Sequence, residues 1–354
     1  MSKPAVILDV HWRGMTELFS AADRARLNDA FDVVWGRDEK MPDEVLEQNI
    51  GRAFAHVTTT PEVDAGYLAR APELRVVAEV SGAFPDTIDY AACEARGIEV
   101  LSCAPGFRQS VAEMAVAMAL SAGRGLVAEH ELFRRGEEFW LDDRAGRDFT
   151  MYGQRIGYLG FGSIARETQR LLAPFAPEVL IHDPWLPDAV AEEAGAAKVS
   201  LETLFSEARC LFVCAAPTRE NEGLVDARLI ALMQPGSLLI VISRAHLVNF
   251  PDLVAALEAG HIRAAIDVFP SEPVGQDDPI RALPGVILSP HRAAAVAGGR
   301  QLIGRMLVDD LLSMAAGGEP SRLQRARGAN IAQLAGVGDA SQVTKMASAR
   351  DTGS

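Results

Sequence analysis

Short runs of apolar residues alternate with longer amphipathic segments along most of the chain. The apolar runs have the length of buried strands, and the segments between them have the length and periodicity of helices. Helices that cover both faces of a parallel sheet produce this alternation, so the pattern predicts an α/β fold with parallel sheets. A first series of predicted strands covers residues 5–10, 32–35, 53–58, 74–80 and 98–103.

A second series of predicted strands begins near Arg155 and covers residues 155–159, 179–182, 211–215, 238–243, 263–268 and 286–289. Between the two series lie a predicted helix at 110–122 and a charged arm at 129–148 that carries Trp140. A last helical pattern covers residues 299–316. Its apolar face must pack against another element, and we expect that element to be the first series of strands. We therefore predict two α/β domains, the first of which is discontinuous.

The composition narrows the classes of function. The 354 residues include 34 Lys and Arg against 48 Asp and Glu, a formal net charge of −14. This charge has the wrong sign for binding nucleic acid or anionic membranes, so neither is expected as a partner. We expect no transmembrane helix and no signal peptide, and hence a cytoplasmic protein. Four cysteines lack the companions of a tetrahedral site, so no metal is expected.

A glycine-rich motif follows the predicted strand 155–159. It reads Gly160-Phe161-Gly162-Ser163-Ile164-Ala165 and opens a predicted helix. Its glycines would allow a tight turn and the approach of a pyrophosphate to a helix N-terminus. Close packing alone could explain such a turn, but Asp183 ends the next strand, where a carboxylate can bind the adenosine ribose. It would also repel a 2′-phosphate, so NAD is the predicted cofactor, in preference to NADP.

Three polar residues lie at the ends of later strands of the same series: Arg244, Asp267 and His291, with Glu272 a few residues beyond Asp267. The carboxyl ends of parallel strands share one edge, where ligands of such sheets bind. A Glu272–His291 pair would supply a general acid whose imidazolium form the carboxylate favours. Arg244 would clamp a substrate carboxylate. Structural roles are the alternative for each residue alone, but their joint position favours a site for a 2-oxo acid.

These motifs resemble those of the D-isomer-specific 2-hydroxyacid dehydrogenases, over about residues 50–315. The resemblance implies that Arg244, Glu272 and His291 are catalytic and that Asp267 and the backbone around Ile242 and Ser243 hold the nicotinamide carboxamide. It also implies that Ser163 and Ile164 bind the pyrophosphate, as do Gly160 and Gly162, and that Pro217 lines the cofactor groove. Backbone amides of Ser81, Gly82 and Ala83 would bind the substrate carboxylate.

The resemblance also implies the architecture. It predicts two doubly wound parallel-sheet domains: a Rossmann NAD-binding domain at 107–293, and a discontinuous flavodoxin-like substrate domain at 1–106 plus 294–320. A dimerisation arm at 121–150 would form a homodimer. Residues 321–354 are predicted to be a mostly flexible tail. The chain departs from the family at Phe84-Pro85, where a second glycine is usual, and at Cys103 and Ala215.

The predicted function is NAD-dependent interconversion of a 2-oxo acid and a D-2-hydroxy acid. Glyoxylate or hydroxypyruvate reduction is the default, because the family is often broad there. Two alternatives stay open: an NAD(H)-sensing interaction protein similar to the family's corepressors, and a phosphite dehydrogenase. Formate oxidation is disfavoured, since relatives with that activity carry glutamine where this chain has Glu272.

Overall fold

The computed structural model describes residues 2–11, 13–141, 148–327 and 329–337. The chain divides into two compact units. Unit 1 contains the chain up to Arg108 and from Ala295 onward, and unit 2 contains Gln109–Ala294. In the prediction from the sequence, the domain boundaries lie between residues 106 and 107 and between residues 293 and 294. Parts of two predicted segments, 142–147 of the arm and 338–354 of the tail, lie outside the described residues.

Unit 1 begins with five parallel strands, and most of their residues are buried. Side chains of Ser20, Asp64 and Asp89 cap the N-termini of three of its helices by accepting backbone N–H groups. The elements are β1 (Ala5–Asp9), α1 (Met15–Leu18), α2 (Ala21–Ala30), β2 (Asp32–Arg37), α3 (Asp43–Asn49), β3 (Ala53–Thr58), α4 (Ala65–Arg70), β4 (Val76–Glu79), α5 (Tyr90–Ala95) and β5 (Glu99–Ser102).

Unit 2 contains a seven-stranded parallel sheet in the order β12-β11-β10-β9-β6-β7-β8. Its elements are α6 (Arg108–Gly123, beginning at the last residue of the first part of unit 1), α7 (Leu126–Arg135), β6 (Arg155–Leu159), α8 (Ser163–Leu172), β7 (Glu178–His182), α9 (Asp188–Glu193), β8 (Ala196–Lys198), α10 (Leu201–Glu207), β9 (Cys210–Val213), α11 (Ala227–Leu232), β10 (Leu238–Val241), α12 (Phe250–Glu258), β11 (Arg263–Ile266) and β12 (Val286–Leu288). The strand order reverses at β6, between β9 and β7, and such a point is where ligands bind in open parallel sheets.

The chain then returns to unit 1 as α13 (Gln301–Ala315), β13 (Gln324–Arg325) and α14 (Ala329–Leu334). The side chains of Ile303, Leu307 and Leu311 are fully buried in the core of unit 1. β13 pairs antiparallel with β5, which gives the sheet order β13-β5-β4-β3-β1-β2. The predicted discontinuous packing of the last long helix is therefore what the structure has.

The prediction of a mostly flexible tail after Pro320 is wrong for residues 321–327. Both Arg325 and Arg327 form ion pairs with Glu99 on β5. The Asp310 carboxylate accepts backbone N–H groups from Ser321, Arg322 and Leu323. Polar side chains thus hold this segment, and a search for apolar periodicity does not detect such contacts.

The predicted fold class, two parallel-sheet α/β domains, is confirmed. All eleven predicted strands are present, with ends that differ by up to two residues. Two strands were not predicted: β8 is three residues long, and β13 is a polar pair. Within the described residues no single helix is long and apolar enough to cross a membrane; α6 with its preceding turn and α7, bent by 57°, pass that test only as a pair.

Candidate active site

The turn after β6 requires glycine at its first position. Gly160 has φ +81°, and a Cβ there would lie 2.4 Å from the Cα of Ala215. Its N–H donates to the carbonyl of His182 at 2.9 Å. The turn is thus packed against the end of β9 and tied to β7, which are the two neighbours of β6 in the sheet.

The second glycine of the motif faces open space. A Cβ at Gly162 would meet no atom within 4 Å. Gly162 is the N-cap of α8, and no side chain caps that helix end. The N–H groups of the first turn, including those of Ser163 and Ile164, therefore have no acceptor within the helix. Ala165 is fully buried, in agreement with a packing role. Backbone donors without an acceptor in the helix, next to the exposed Gly162, fit the pyrophosphate of a dinucleotide.

Asp183 follows β7 and lies beside the glycine turn, as predicted. Its carboxylate accepts the N–H of Phe161 at 2.9 Å and the N–H of Trp185 at 3.0 Å. The sequence did not indicate these two bonds, which fix the carboxylate in place. Each oxygen keeps a further lone pair with which it could accept a ribose hydroxyl. Asp183 is half-buried, so part of the residue reaches solvent.

The residues predicted near the nicotinamide follow β9 and β10. Ile242 and Ser243 are both buried, and the Ser243 hydroxyl has no hydrogen-bond partner among the described residues. A buried hydroxyl without a partner is costly, and a ligand amide would satisfy it. Pro217 is half-buried in the loop after β9. That loop is held by Asn221, which donates to Ala216 and accepts the N–H of Thr218, a support that the sequence analysis missed.

Glu272 and His291 form the predicted pair. The Nδ1 of His291 lies 2.7 Å from a carboxylate oxygen of Glu272, whose other oxygen accepts the N–H of Phe269 at 2.8 Å. The Glu272 side chain is 7% exposed and that of His291 is 32% exposed. An ionised carboxylate only accepts hydrogen bonds, so Nδ1 carries a proton in this pair. Nε2 is the ring nitrogen left to exchange a proton with a substrate.

His291 adopts a left-handed backbone conformation, with φ +49°. Its N–H donates to the backbone carbonyl of Asp267 at 2.8 Å. The carboxylate of Asp267 accepts the N–H groups of Arg292 at 2.9 Å and Ala293 at 3.1 Å. Asp267 is fully buried. Both of its oxygens support the turn that carries His291, and its role in holding the nicotinamide carboxamide stays a prediction.

Arg244 is placed by the topology of the sheet. β10, β11 and β12 are adjacent and parallel, with Val241, Ile266 and Leu288 in register. Arg244 lies three residues after Val241, and His291 lies three residues after Leu288. The strands that they follow, β10 and β12, are separated by β11 and therefore lie about 10 Å apart. The Arg244 side chain is half-buried, and its guanidinium donates to the carbonyl of Ser243 at 2.8 Å. A guanidinium and an imidazole thus share one sheet edge.

The predicted carboxylate-binding loop lies in unit 1. The N–H groups of Ser81, Gly82 and Ala83 do converge on a carboxylate, but it is the side chain of Glu79 in the same chain. In this structure the three amides are occupied by Glu79, and their binding of a substrate carboxylate stays a prediction. A charged residue within the apolar run 76–80 was the only signal, and the sequence analysis did not use it.

Among the described residues, no group of three or more His, Cys, Asp or Glu side chains could hold a metal ion. All four cysteines are buried and free. Burial raises the pKa of the Cys93 thiol to about 11 and that of Cys214 to about 12, so both remain protonated at neutral pH.

Comparison with known proteins agrees with this geometry. Residues 116–293 match the family model of the D-isomer specific 2-hydroxyacid dehydrogenase NAD-binding domain. The chain is 31% identical to a glyoxylate reductase of Aeropyrum pernix, over 84% of this chain and 90% of that protein. It is 30% identical to D-3-phosphoglycerate dehydrogenase of Mycobacterium tuberculosis, over 90% of this chain and 58% of that protein.

Solved structures show the same relationship. The crystal structure of a phosphoglycerate oxidoreductase from Rhizobium etli superposes with a TM-score of 0.82 at 32% identity, covering 92% of this chain and 99% of the other. The chain spans little more than half the length of the mycobacterial relatives it matches. Unit 2 is an NAD-binding domain. The protein belongs to the D-isomer-specific 2-hydroxyacid dehydrogenase family.

Proposed function

We propose that the protein interconverts a 2-oxo acid and a D-2-hydroxy acid with NAD as the redox cofactor. The observation that carries the proposal is the 2.7 Å contact between Glu272 and the Nδ1 of His291, which leaves Nε2 to a substrate. The same sheet edge carries Arg244 and the glycine turn at Gly160. An acid/base group, a carboxylate-binding guanidinium and a dinucleotide site are the three components that this reaction requires.

Each residue has a distinct role in this proposal. When bound, NAD supplies the hydride acceptor for oxidation and, in its reduced form, the donor for reduction. Arg244 binds the substrate carboxylate and polarises the carbonyl oxygen. In reduction, Nε2 of His291 donates a proton to the oxygen as it gains negative charge, and in oxidation Nε2 takes that proton back. Glu272 stabilises the positive charge of the ring and fixes its orientation.

The substrate class is proposed from the site and from the names of the relatives. Similar proteins are named glyoxylate reductase and D-3-phosphoglycerate dehydrogenase. We propose a short 2-oxo acid such as glyoxylate or hydroxypyruvate as the first substrate to test, with D-3-phosphoglycerate as the comparison. We further propose that the active form is a homodimer joined through the arm at 121–150, whose helix α7 exposes Leu126 and Phe133.

A substrate panel tests this function. Glyoxylate, hydroxypyruvate, pyruvate and longer 2-oxo acids are assayed with NADH, and D-3-phosphoglycerate with NAD. The expected result is turnover of at least one substrate, which His291→Asn lowers by about 100-fold or more, with NADH affinity measured by fluorescence within about twofold of the parent. His261→Asn is the matched control, because His261 lies between α12 and β11, at the edge of the sheet opposite to His291. Tight NADH binding without turnover of any substrate would contradict the proposal and favour an NADH sensor.

A further inference from the structure

A small pocket in unit 1 is lined by three arginines to which the proposed reaction gives no role. Its volume is about 270 Å³, and the arginines are Arg108, Arg305 and Arg322. All of the lining residues belong to unit 1. Arg108 is the first residue of α6, Arg305 lies on α13, and Arg322 lies in the segment between α13 and β13. The pocket thus brings together positive charges from three separate parts of the chain.

The lining of this pocket has an excess of positive charge. Among the described residues that form it, Asp309 alone carries a carboxylate. One oxygen of Asp309 accepts a hydrogen bond from Arg26 at 2.7 Å, and the other lies 3.6 Å from Nε of Arg322. The charge of Asp309 is therefore already shared with an arginine outside the pocket. In a chain with 48 acidic and 34 basic residues, composition does not account for such a cluster.

The three guanidinium groups keep hydrogen-bond donors for a ligand. Nη1 of Arg108 donates to the carbonyl of Pro105 at 3.1 Å and lies 3.6 Å from Sδ of Met306, which leaves its Nε and Nη2. Arg305 approaches a carboxylate only to 4.0 Å and Arg322 only to 3.6 Å, distances too long for hydrogen bonds. Neighbouring cations repel one another. A bound anion would remove that repulsion and accept these donors.

Two of the arginines are held in place by the protein itself. The contacts of Arg108 with Pro105 and Met306 fix its guanidinium. The backbone of Arg322 is fixed by the carboxylate of Asp310, which accepts its N–H and those of the residues on either side. Asp310 is 1% exposed, so this support lies in the interior of unit 1. Groups that are positioned in advance lose less conformational entropy when a ligand binds.

We propose that this pocket binds the phosphate group of a small anionic ligand. A phosphate has enough oxygens to accept hydrogen bonds from three guanidinium groups, whereas a carboxylate has only two. The volume of about 270 Å³ lies just below the range of about 300–1,000 Å³ that is usual for drug-sized ligands. Inorganic phosphate or a short phosphorylated metabolite therefore suits the pocket. This inference does not depend on the proposed function, because its test needs no turnover.

Titration with inorganic phosphate tests the pocket. The Tm is measured at constant ionic strength maintained with NaCl, and with saturating NADH so that the dinucleotide site is occupied. We expect the Tm to rise with saturation, and isothermal titration calorimetry to give a Kd of about 1 mM or lower. The double variant Arg305→Gln/Arg322→Gln should raise this Kd by about tenfold or more. A Tm of the unmodified protein that is independent of phosphate would overturn the proposal.

A double variant in unit 2 is the matched control. Arg170→Gln/Arg228→Gln also removes two positive charges, from side chains that are 66% and 59% exposed, compared with 65% for Arg305 and 60% for Arg322. Each of these control arginines pairs with a single glutamate. The Kd for phosphate should stay within twofold of the parent. An equal loss of affinity in both double variants, or none in Arg305→Gln/Arg322→Gln, would place phosphate binding elsewhere and overturn the proposal.

Glycerol 3-phosphate distinguishes the two sources of a phosphate group. It has no carboxylate, so the proposed role of Arg244 does not extend to it. A Kd at least fivefold below that of inorganic phosphate would assign the pocket to a phosphorylated metabolite, and an equal or higher Kd would assign it to free phosphate. Should Arg305→Gln/Arg322→Gln fail to fold, the two single variants decide. Each should raise the Kd by about threefold or more, and an unchanged Kd in both would overturn the proposal.

Discussion

Asp267 supports the backbone on both sides of His291. Its carbonyl accepts the N–H of His291, and its carboxylate accepts the N–H groups of the next two residues, Arg292 and Ala293. His291 has φ +49°, a conformation that a non-glycine residue keeps only when its surroundings hold it. The imidazole is therefore oriented from two directions, by Glu272 through Nδ1 and by Asp267 through the main chain.

The substitution Asp267→Asn tests this support. The amide nitrogen cannot accept a backbone N–H, so one of the two bonds is lost in the interior and the charge is removed. We expect kcat to fall by about tenfold or more and the free energy of unfolding to fall by about 1–3 kcal/mol. NADH affinity should change little, because the expected loss lies in the support of His291 and not in a contact with the cofactor. Steady-state kinetics, a fluorescence titration and urea unfolding measure the three quantities.

The matched control is Asp252→Asn. Asp252 also accepts a backbone N–H, that of Ala227, but it lies on the surface of α12. Its replacement should leave kcat unchanged. If Asp267→Asn weakens NADH binding strongly and leaves kcat intact, the direct role in carboxamide binding predicted from the sequence is correct instead.

Cofactor choice should depend on the charge of Asp183. Asp183→Asn keeps one oxygen for the N–H of Phe161 or Trp185 and removes the repulsion of a 2′-phosphate. We expect the ratio of kcat/KM for NAD over NADP to fall by about tenfold, which corresponds to about 1.4 kcal/mol. Glu193→Gln, at the end of α9 in the same unit, should leave the ratio unchanged. An unmodified protein that already prefers NADP would refute the ribose assignment.

The exposed apolar side chains of the arm allow a test of the proposed homodimer. Phe133 is 60% exposed and Trp140 is 77% exposed, and their rings contact each other edge to face. A charge placed among such side chains would have to be buried in the interface without a partner. Phe133→Glu should therefore yield monomers in sedimentation velocity. Leu232→Glu, at a less exposed apolar position outside the arm, should remain dimeric. A dimer that survives Phe133→Glu would place the interface elsewhere.

Because His56 is buried in unit 1, we expect the free energy of unfolding to depend on pH. Burial lowers its pKa to about 4, and its Nδ1 lies 2.7 Å from the hydroxyl of Tyr67. As the pH falls, the His56 ring takes up a proton near pH 6.5 in the unfolded chain, and only at a lower pH in the folded protein. The neutral ring thus contributes stability above that pH, and this contribution is lost as the pH falls towards 4. Between pH 7 and pH 5 the loss should be about 2 kcal/mol.

His56→Asn isolates this contribution, because asparagine can still bond to Tyr67 and does not titrate. Its urea unfolding should be less sensitive to pH than that of the parent by the same amount. A histidine NMR titration of the parent should show the His56 ring neutral down to about pH 4. A midpoint near 6.5 would exclude the mechanism.

Sequence patterns were sufficient to predict the alternating strands and helices along the chain. Parallel strands and the glycine turn have local signatures, and β-strand ends bring Arg244, Asp267 and His291 to one edge through topology alone. The roles of individual carboxylates were not predictable in the same way. Asp267 and Glu79 are bound by backbone N–H groups whose direction depends on turn geometry, and a one-dimensional pattern does not encode that direction.

Contacts between polar residues distant in sequence were also missed. Glu99 meets Arg325 and Arg327 across more than 220 positions. The weak periodicity after Pro320 indicated little structure, because the segment is held by charge pairing and by the Asp310 carboxylate. Only the folded chain shows that such residues are neighbours.

The return of α13 to unit 1 has a consequence for folding during translation. Unit 2 is a continuous stretch, Gln109–Ala294, whereas the core of unit 1 includes Ile303, Leu307 and Leu311. During translation the strands of unit 1 are made before unit 2, but α13, which covers part of their apolar surface, is made after it. That surface must therefore stay uncovered by α13 until all of unit 2 has been synthesised.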